Sequence, residues 1–345
     1  MTPRQTALIV TPSIDTRMGG VERFARSLES ALSNDWDVSL QPVVAGTPLA
    51  IEKLGGRFLW ESRHAARETA TRAGDLVITN GTLGWGIPPS RSRIHVFHGT
   101  LPAAMRANSA LPLRERFRSG IGGGLAERLS AGDAVTVAVS ESAAEDARRT
   151  LGISVRHVIE NGVDCDLFRP RDRTEARRRL GLPESGHLAM FVGRAEPRKG
   201  ADLALRAAES AGMRLVVAGA REVQGAIHLG LLSPDALAWA YSAADCVVFP
   251  TRYEACSYVV LEALAAGVPL ITTPVGWARH LFRRVPAYRQ LQAAPDVAAL
   301  HKAIERVRAG GLGEAITAAR RMVVEHNSSS IFARQWRMLA AACRA

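Results

Sequence analysis

Cysteine is scarce in this chain. Cys165, Cys246, Cys256 and Cys343 stand far apart, with neither metal-ligand spacing nor the spacings of a disulfide framework. Four free thiols in a reducing compartment are therefore expected. Long apolar runs are missing too: no window approaches the roughly 18 consecutive apolar residues of a membrane span. Ala7 to Val10 is the only apolar run before polar residues and glycines take over, so the N-terminus reads as a first strand and not as a secretory leader. A cytoplasmic location follows as the expectation. There is no internal repeat and no long low-complexity segment.

What is present fits a globular protein. Apolar residues make up 47% of the chain and charged residues 22%, and 345 residues suit two domains better than one. The net charge of +11 is uneven: residues 1–165 hold 19 Lys and Arg against 17 Asp and Glu, the rest 25 against 16. Nucleic acid, an anionic membrane or a phosphate-bearing ligand would each suit that field. A solvated arginine-rich surface accounts for most of it, and no nucleic-acid partner is expected.

Strand-like and helix-like runs alternate from end to end. One series of strands is expected at 7–11, 38–44, 75–79, 93–98, 134–139 and 155–159, and a second at 187–193, 213–219, 245–249 and 269–273. Between the first two strands, Val21, Phe24, Ala25, Leu28, Ala31 and Leu32 share one helical face. Ser142 to Glu145 has capping-box spacing before a short helix, and Ser233 with Pro234 announces another. Alternation of this kind predicts an α/β architecture with two doubly wound parallel sheets. The domains are expected at 1–165 and 166–325, joined near the charged, proline-bearing stretch 165–186. An amphipathic tail helix over 326–345 carries Ile331, Phe332, Trp336 and Leu339.

Ligands of open parallel sheets bind at the carboxyl ends of the strands. Gly19 and Gly20 follow the first strand, where they form either a tight turn or an approach for an anion at a helix start. His98 in FHGT ends the fourth strand. In FVGRAEPRKG, Arg194 and Lys199 sit between a buried strand and a helix, a pairing able to hold a diphosphate. In FPTRYEACSYVVLEALAAG, Glu254 lies in a loop and Glu262 about one turn inside a helix. The amides of Ser257, Tyr258 and Val259 would be free donors at that helix's first turn.

The ordered set GGVERF, FHGT, VAVSES, IENGVDCDLF, FVGRAEPRKG and the run from His228 to Gly276 resembles the GT-B retaining glycosyltransferases of family 4. The resemblance covers both halves, most strongly from Asn161 to Gly276. It implies two Rossmann-like domains facing a central cleft, the first holding the acceptor, the second a nucleotide-sugar donor, and the tail helix packing back on the first. By position, Arg194 and Lys199 would bind the donor diphosphate, Glu254 the sugar hydroxyls and Glu262 the ribose. His98 would stand near the anomeric centre, and Gly19 and Gly20 near the diphosphate. The implied reaction moves a hexose-type sugar from a UDP- or GDP-sugar to a hydroxyl of a glycan, a lipid-linked sugar or a secondary metabolite. It keeps the anomeric configuration by a same-face, oxocarbenium-like route. No cofactor and no metal are expected, the nucleotide sugar being a substrate; DWD at 35–37 and DCD at 164–166 read as turn chemistry.

The sequence departs from the family's pattern where Ala255, Cys256 and Ser257 replace two glycines and an aromatic, so that side chains would fill space near the donor. Trp277 likewise stands at a position where glycine is common. Two rivals remain: a GT-B phosphorylase-type enzyme and a non-catalytic nucleotide-sugar-binding subunit. Residues 101–130 mix apolar residues with arginines. They could form a mobile lid hinged at GIGGG, a peripheral contact with an anionic membrane on its inner face, or an ordinary solvated loop and helix. Oligomeric state is not indicated.

Overall fold

The computed structural model describes residues 4–15, 19–43, 46–48, 51–52, 56–70, 74–88 and 92–343. The chain divides into two compact units, one of residues 1–162 with 330–345, the other of Val163–Ser329. The charged stretch 165–186 is thus part of the second unit and not a linker. Its helix Arg173–Arg179 is fixed by the buried Arg177, whose Nε donates to Ala243 O at 3.0 Å and whose guanidinium meets Asp245 Oδ2 at 2.9 Å. That same carboxylate oxygen accepts from Leu188 N at 2.8 Å, tying the helix to the first strand of the unit.

In the first unit, strands β1 (Thr6–Thr11), β2 (Asp37–Pro42), β3 (Leu76–Asn80), β4 (Ser92–Phe97), β5 (Val135–Ala138) and β6 (His157–Val158) form a parallel sheet in the order β2-β1-β3-β4-β5-β6. The run Ala7–Val10 is buried on both faces, as a central parallel strand must be. The helix Gly20–Leu32 buries the apolar stripe Phe24, Ala25, Leu28, Ala31 and Leu32. The helix Ser329–Ala342 packs on it: Phe24 meets Phe332 and Trp336 edge-on, with ring centroids 5.8 and 5.7 Å apart.

Two local expectations are corrected here. The helix Glu141–Leu151 is capped by Ser140, whose hydroxyl accepts from Ala143 N at 3.1 Å, because the chain turns helical two residues before the capping-box spacing indicates. GIGGG (120–124) is no hinge. It lies inside one continuous helix, Leu113–Ala131, where the glycines let that helix approach the helix Leu101–Ala107 closely.

In the second unit, β7 (Leu188–Val192), β8 (Arg214–Ala218), β9 (Ile227–Gly230), β10 (Cys246–Phe249) and β11 (Leu270–Thr272) form a parallel sheet in the order β11-β10-β7-β8-β9. The strand order reverses between β1 and β3 in the first sheet and between β7 and β10 in the second. Those two switch points are where ligand crevices open in such sheets. No helix among the described residues is long and apolar enough to cross a membrane.

Candidate active site

At the second switch point, loop 193–200 leaves β7 and loop 250–257 leaves β10. Backbone and side chains tie the two loops together: Arg252 N donates to Arg198 O at 2.9 Å, Arg252 Nη1 to Pro197 O at 2.9 Å, and Arg198 Nη1 to Tyr253 O. Glu254 is the hub. Its Oε1 accepts from Lys199 Nζ and from Thr251 Oγ1 at 3.0 Å, with Arg198 Nη1 3.6 Å away. Arg194 joins through Glu196, which it meets at 3.1 Å and which lies 3.7 Å from Arg198. Three cations thus surround two carboxylates, leaving the cluster one positive charge in excess. Arg194 is the most open of the three.

Burial pulls Lys199 below the usual ammonium range, and the carboxylate of Glu254 works against that shift. The ammonium also lies over the Phe249 ring at 5.4 Å. Gly276 fixes the far side of the loop. Its φ is +54°, and a Cβ there would fall 2.2 Å from Glu254 O and 2.5 Å from Ala255 O. The next amide, Trp277 N, donates to Ala255 O at 2.7 Å.

Ala255, Cys256 and Ser257 sit in this loop without strain. No described non-glycine residue has positive φ, and Ser257, at φ −77°, begins the helix Tyr258–Ala265 in an extended conformation any residue adopts. Ser257 and Tyr258 are buried and Val259 half-buried in that first turn. Glu262 is wholly buried, and its Oε2 accepts from Tyr241 Oη at 2.9 Å. One of its oxygens is therefore already engaged by the protein. Asp164 Oδ1 accepts from the amides of Asp166 and Leu167 at 3.0 and 2.9 Å, the Asx turn its sequence indicates.

The first unit presents its own constellation at the carboxyl ends of β1, β3 and β4. His98 Nε2 lies 2.8 Å from Asn80 Oδ1, and Asn80 Nδ2 donates to Val10 O at 2.8 Å. The second bond orients the amide so that Oδ1 accepts, which places the imidazole proton on Nε2. Burial pushes His98 down to about 3, so the ring is neutral, with Nδ1 as its unprotonated nitrogen. Phe24 packs edge-on against it at 4.6 Å. Gly19 precedes the helix Gly20–Leu32 in extended backbone, with Glu22 Oε2 3.1 Å from where its Cβ would be. That helix start thus already has a carboxylate of its own. Thr16, Arg17 and Met18, part of the same expected loop, lie outside the described residues.

Arg198, Glu196, Thr251, Asn80 and Tyr241 were not among the residues expected from the sequence. Arg198 stands beside Lys199, and Asn80 closes a strand rich in β-branched residues, the one local signal either offers.

Family models match most of both units. Glycosyltransferase Family 4 matches residues 18–167, and Glycosyl transferases group 1 matches residues 172–320. The chain belongs to the group 1 glycosyltransferases. A D-inositol 3-phosphate glycosyltransferase of Mycobacterium leprae is 38% identical to this glycosyltransferase-family chain over 144 residues, 34% of this chain and 32% of that protein. The match therefore spans about a third of that relative. Among solved structures, sucrose-phosphate synthase from Thermosynechococcus elongatus superposes with a TM-score of 0.81 at 22% identity, covering 98% of this chain and 100% of that one. Anabaena HepE in complex with UDP and glucose gives a TM-score of 0.70 at 15% identity over 98% and 99%. Both show that this family member has the GT-B fold.

Proposed function

We propose that the chain moves a hexose-type sugar from a UDP- or GDP-sugar to a hydroxyl acceptor with retention of anomeric configuration. The observation that carries this reading is the Arg194, Arg198, Lys199 and Glu254 cluster at the switch point between β7 and β10. An ammonium has three N–H donors, so Lys199 can keep Glu254 and still donate to a phosphate oxygen. Arg194, half-exposed, can exchange its ion pair with Glu196 for the same diphosphate. As the bond between the anomeric carbon and the phosphate oxygen breaks, the stationary cations offset the charge that gathers on the departing nucleotide. The departing oxygen takes the proton of the acceptor hydroxyl while that hydroxyl's oxygen bonds the same face of the sugar. Glu254 orients the sugar hydroxyls. His98, neutral and fixed through Nε2, contributes a hydrogen-bond acceptor and not an acid. UDP in the HepE structure supports a uridine donor, and no metal is assigned to any step.

Nucleotide release from UDP- and GDP-hexoses, measured with a panel of hydroxyl acceptors, tests the proposal, and the product's anomeric coupling in NMR tests retention. Lys199→Ala and Glu254→Ala should each lower turnover by about two orders of magnitude or more with folding intact. Unchanged turnover in both variants would overturn the assignment. Sugar 1-phosphate formed on adding inorganic phosphate would favour the phosphorylase reading instead.

A further inference from the structure

The helix Leu113–Ala131 is built inside out. Its buried face carries Gly120, Gly123, Gly124, Ala126 and Ala131. It lies so close to its neighbour that a Cβ on Gly123 would fall 2.3 Å from Leu101 Cδ1, and one on Gly124 2.8 Å from Pro102 Cγ. The large apolar side chains point the other way: Leu113 is 64% exposed, Phe117 61%, Ile121 68%, Leu125 47% and Leu129 37%. A core-facing helix has the opposite pattern. Spaced by four, the five residues cover an arc of roughly 160° along about 24 Å of helix.

Charge on the same arc has one sign. Arg114, Arg118 and Arg128 are exposed and interleave with the apolar residues, and Arg106 is exposed on the preceding helix. The acidic residues of the helix turn away: Glu115 is half-buried, and Glu127 is buried with both carboxyl oxygens near Leu101 N at 3.0 and 3.1 Å. The helix is also held firmly. Arg116 clamps Met105 O at 2.8 Å and Arg106 O at 2.7 Å, and Arg128 Nη1 donates to Leu151 O at 3.0 Å. The stripe is therefore a fixed surface, not the side of a loose loop.

We infer that this face docks the first unit on an anionic lipid bilayer. The helix lies in the interfacial plane, with Phe117, Ile121 and Leu125 at the acyl boundary and Arg114 and Arg118 at the lipid phosphates. Charge decides the occupant: a two-fold contact between copies through this face would set arginine against arginine, whereas an anionic surface attracts both this face and a chain of net charge +11. The inference stands apart from sugar transfer, and its test needs no turnover.

The full chain is sedimented with vesicles of phosphatidylglycerol and phosphatidylcholine and with vesicles of phosphatidylcholine alone, across salt. Binding to the anionic vesicles, weakened by salt, is expected. Phe117→Ser with Ile121→Ser should lower the partition coefficient at least about tenfold, and Arg114→Gln with Arg118→Gln should remove the preference for anionic lipid. Both pairs should leave the circular dichroism spectrum of the folded chain unchanged, because all four side chains are exposed. Absence of wild-type binding at low salt, or equal binding of the serine variant, would overturn the inference. So would a wild-type dimer in sedimentation velocity that the serine variant converts to monomer.

Discussion

Replacing Gly276 with alanine tests how the loop bearing Glu254 is held. Gly276 sits at φ +54°, where a Cβ costs about 1 kcal/mol in a single residue. The larger effect is contact: the added carbon would stand 2.2 Å from Glu254 O and 2.5 Å from Ala255 O. Both are backbone atoms, so the loop must retreat by about 1 Å to restore van der Waals separation, and the Trp277 N bond to Ala255 O must stretch. Together these amount to about 3 kcal/mol, or a fall in Tm of roughly 6–12 °C for a unit of this size. Because the retreat carries Glu254 away from Lys199, turnover should fall about 100-fold. Gly310→Ala is the control, with φ +76° and nothing within 4 Å of the added carbon. It should show the conformational cost alone. Thermal unfolding by circular dichroism and nucleotide release read the two effects. If Gly276→Ala unfolds within about 2 °C of Gly310→Ala and turns over alike, the proposed contact does not position the loop.

Two further predictions concern pH. Burial raises Glu127 from 4.5 to about 8, so between those values the folded chain keeps a proton that the unfolded chain releases. The contribution of Glu127 to stability is fully present below pH 4.5 and falls away as pH rises toward 8. Glu127→Gln, which keeps the neutral form, should flatten the decline of Tm between pH 5 and 8; an identical slope in the variant would show that Glu127 does not titrate there. His98, held at about 3 against an ordinary 6.5, should add no ionisation to kcat/KM between pH 5 and 8. An acid limb near 6.5 that vanishes in His98→Gln would contradict the neutral ring.

Apolar periodicity made both sheets legible, because the central strands are buried on both faces and read as unbroken Val, Ile and Leu. Elements without that signature were not. The helix Arg57–Ala70 buries Ser62, Ala65, Ala66 and Thr69, a stripe of small residues that leaves no hydrophobic period to read. Strand β9 is four half-buried residues at a sheet edge, broken by a register shift before Gly230. In the candidate site, Arg194, Lys199 and Glu254 were legible because each follows a strand at its carboxyl end. That Arg198 also turns inward was not, since neighbouring loop residues share no periodicity. The Tyr241 partner of Glu262 comes from a preceding helix, a contact made only by the fold. The glycines of GIGGG misled for a related reason: sequence shows their flexibility, and only packing shows the neighbour that needs them small.

The docking of helix Ser329–Ala342 on helix Gly20–Leu32 bears on the order in which the two units complete their folding. Arg337 Nε donates to Ala31 O at 3.0 Å across 306 residues, and Trp336 closes over Phe24. On the ribosome the second unit, contiguous in sequence, has every one of its residues before the first unit receives the helix Ser329–Ala342. The first unit must wait with Phe24 uncovered while the other folds, so stalled or truncated chains should be recognised by chaperones through the first unit and not the second.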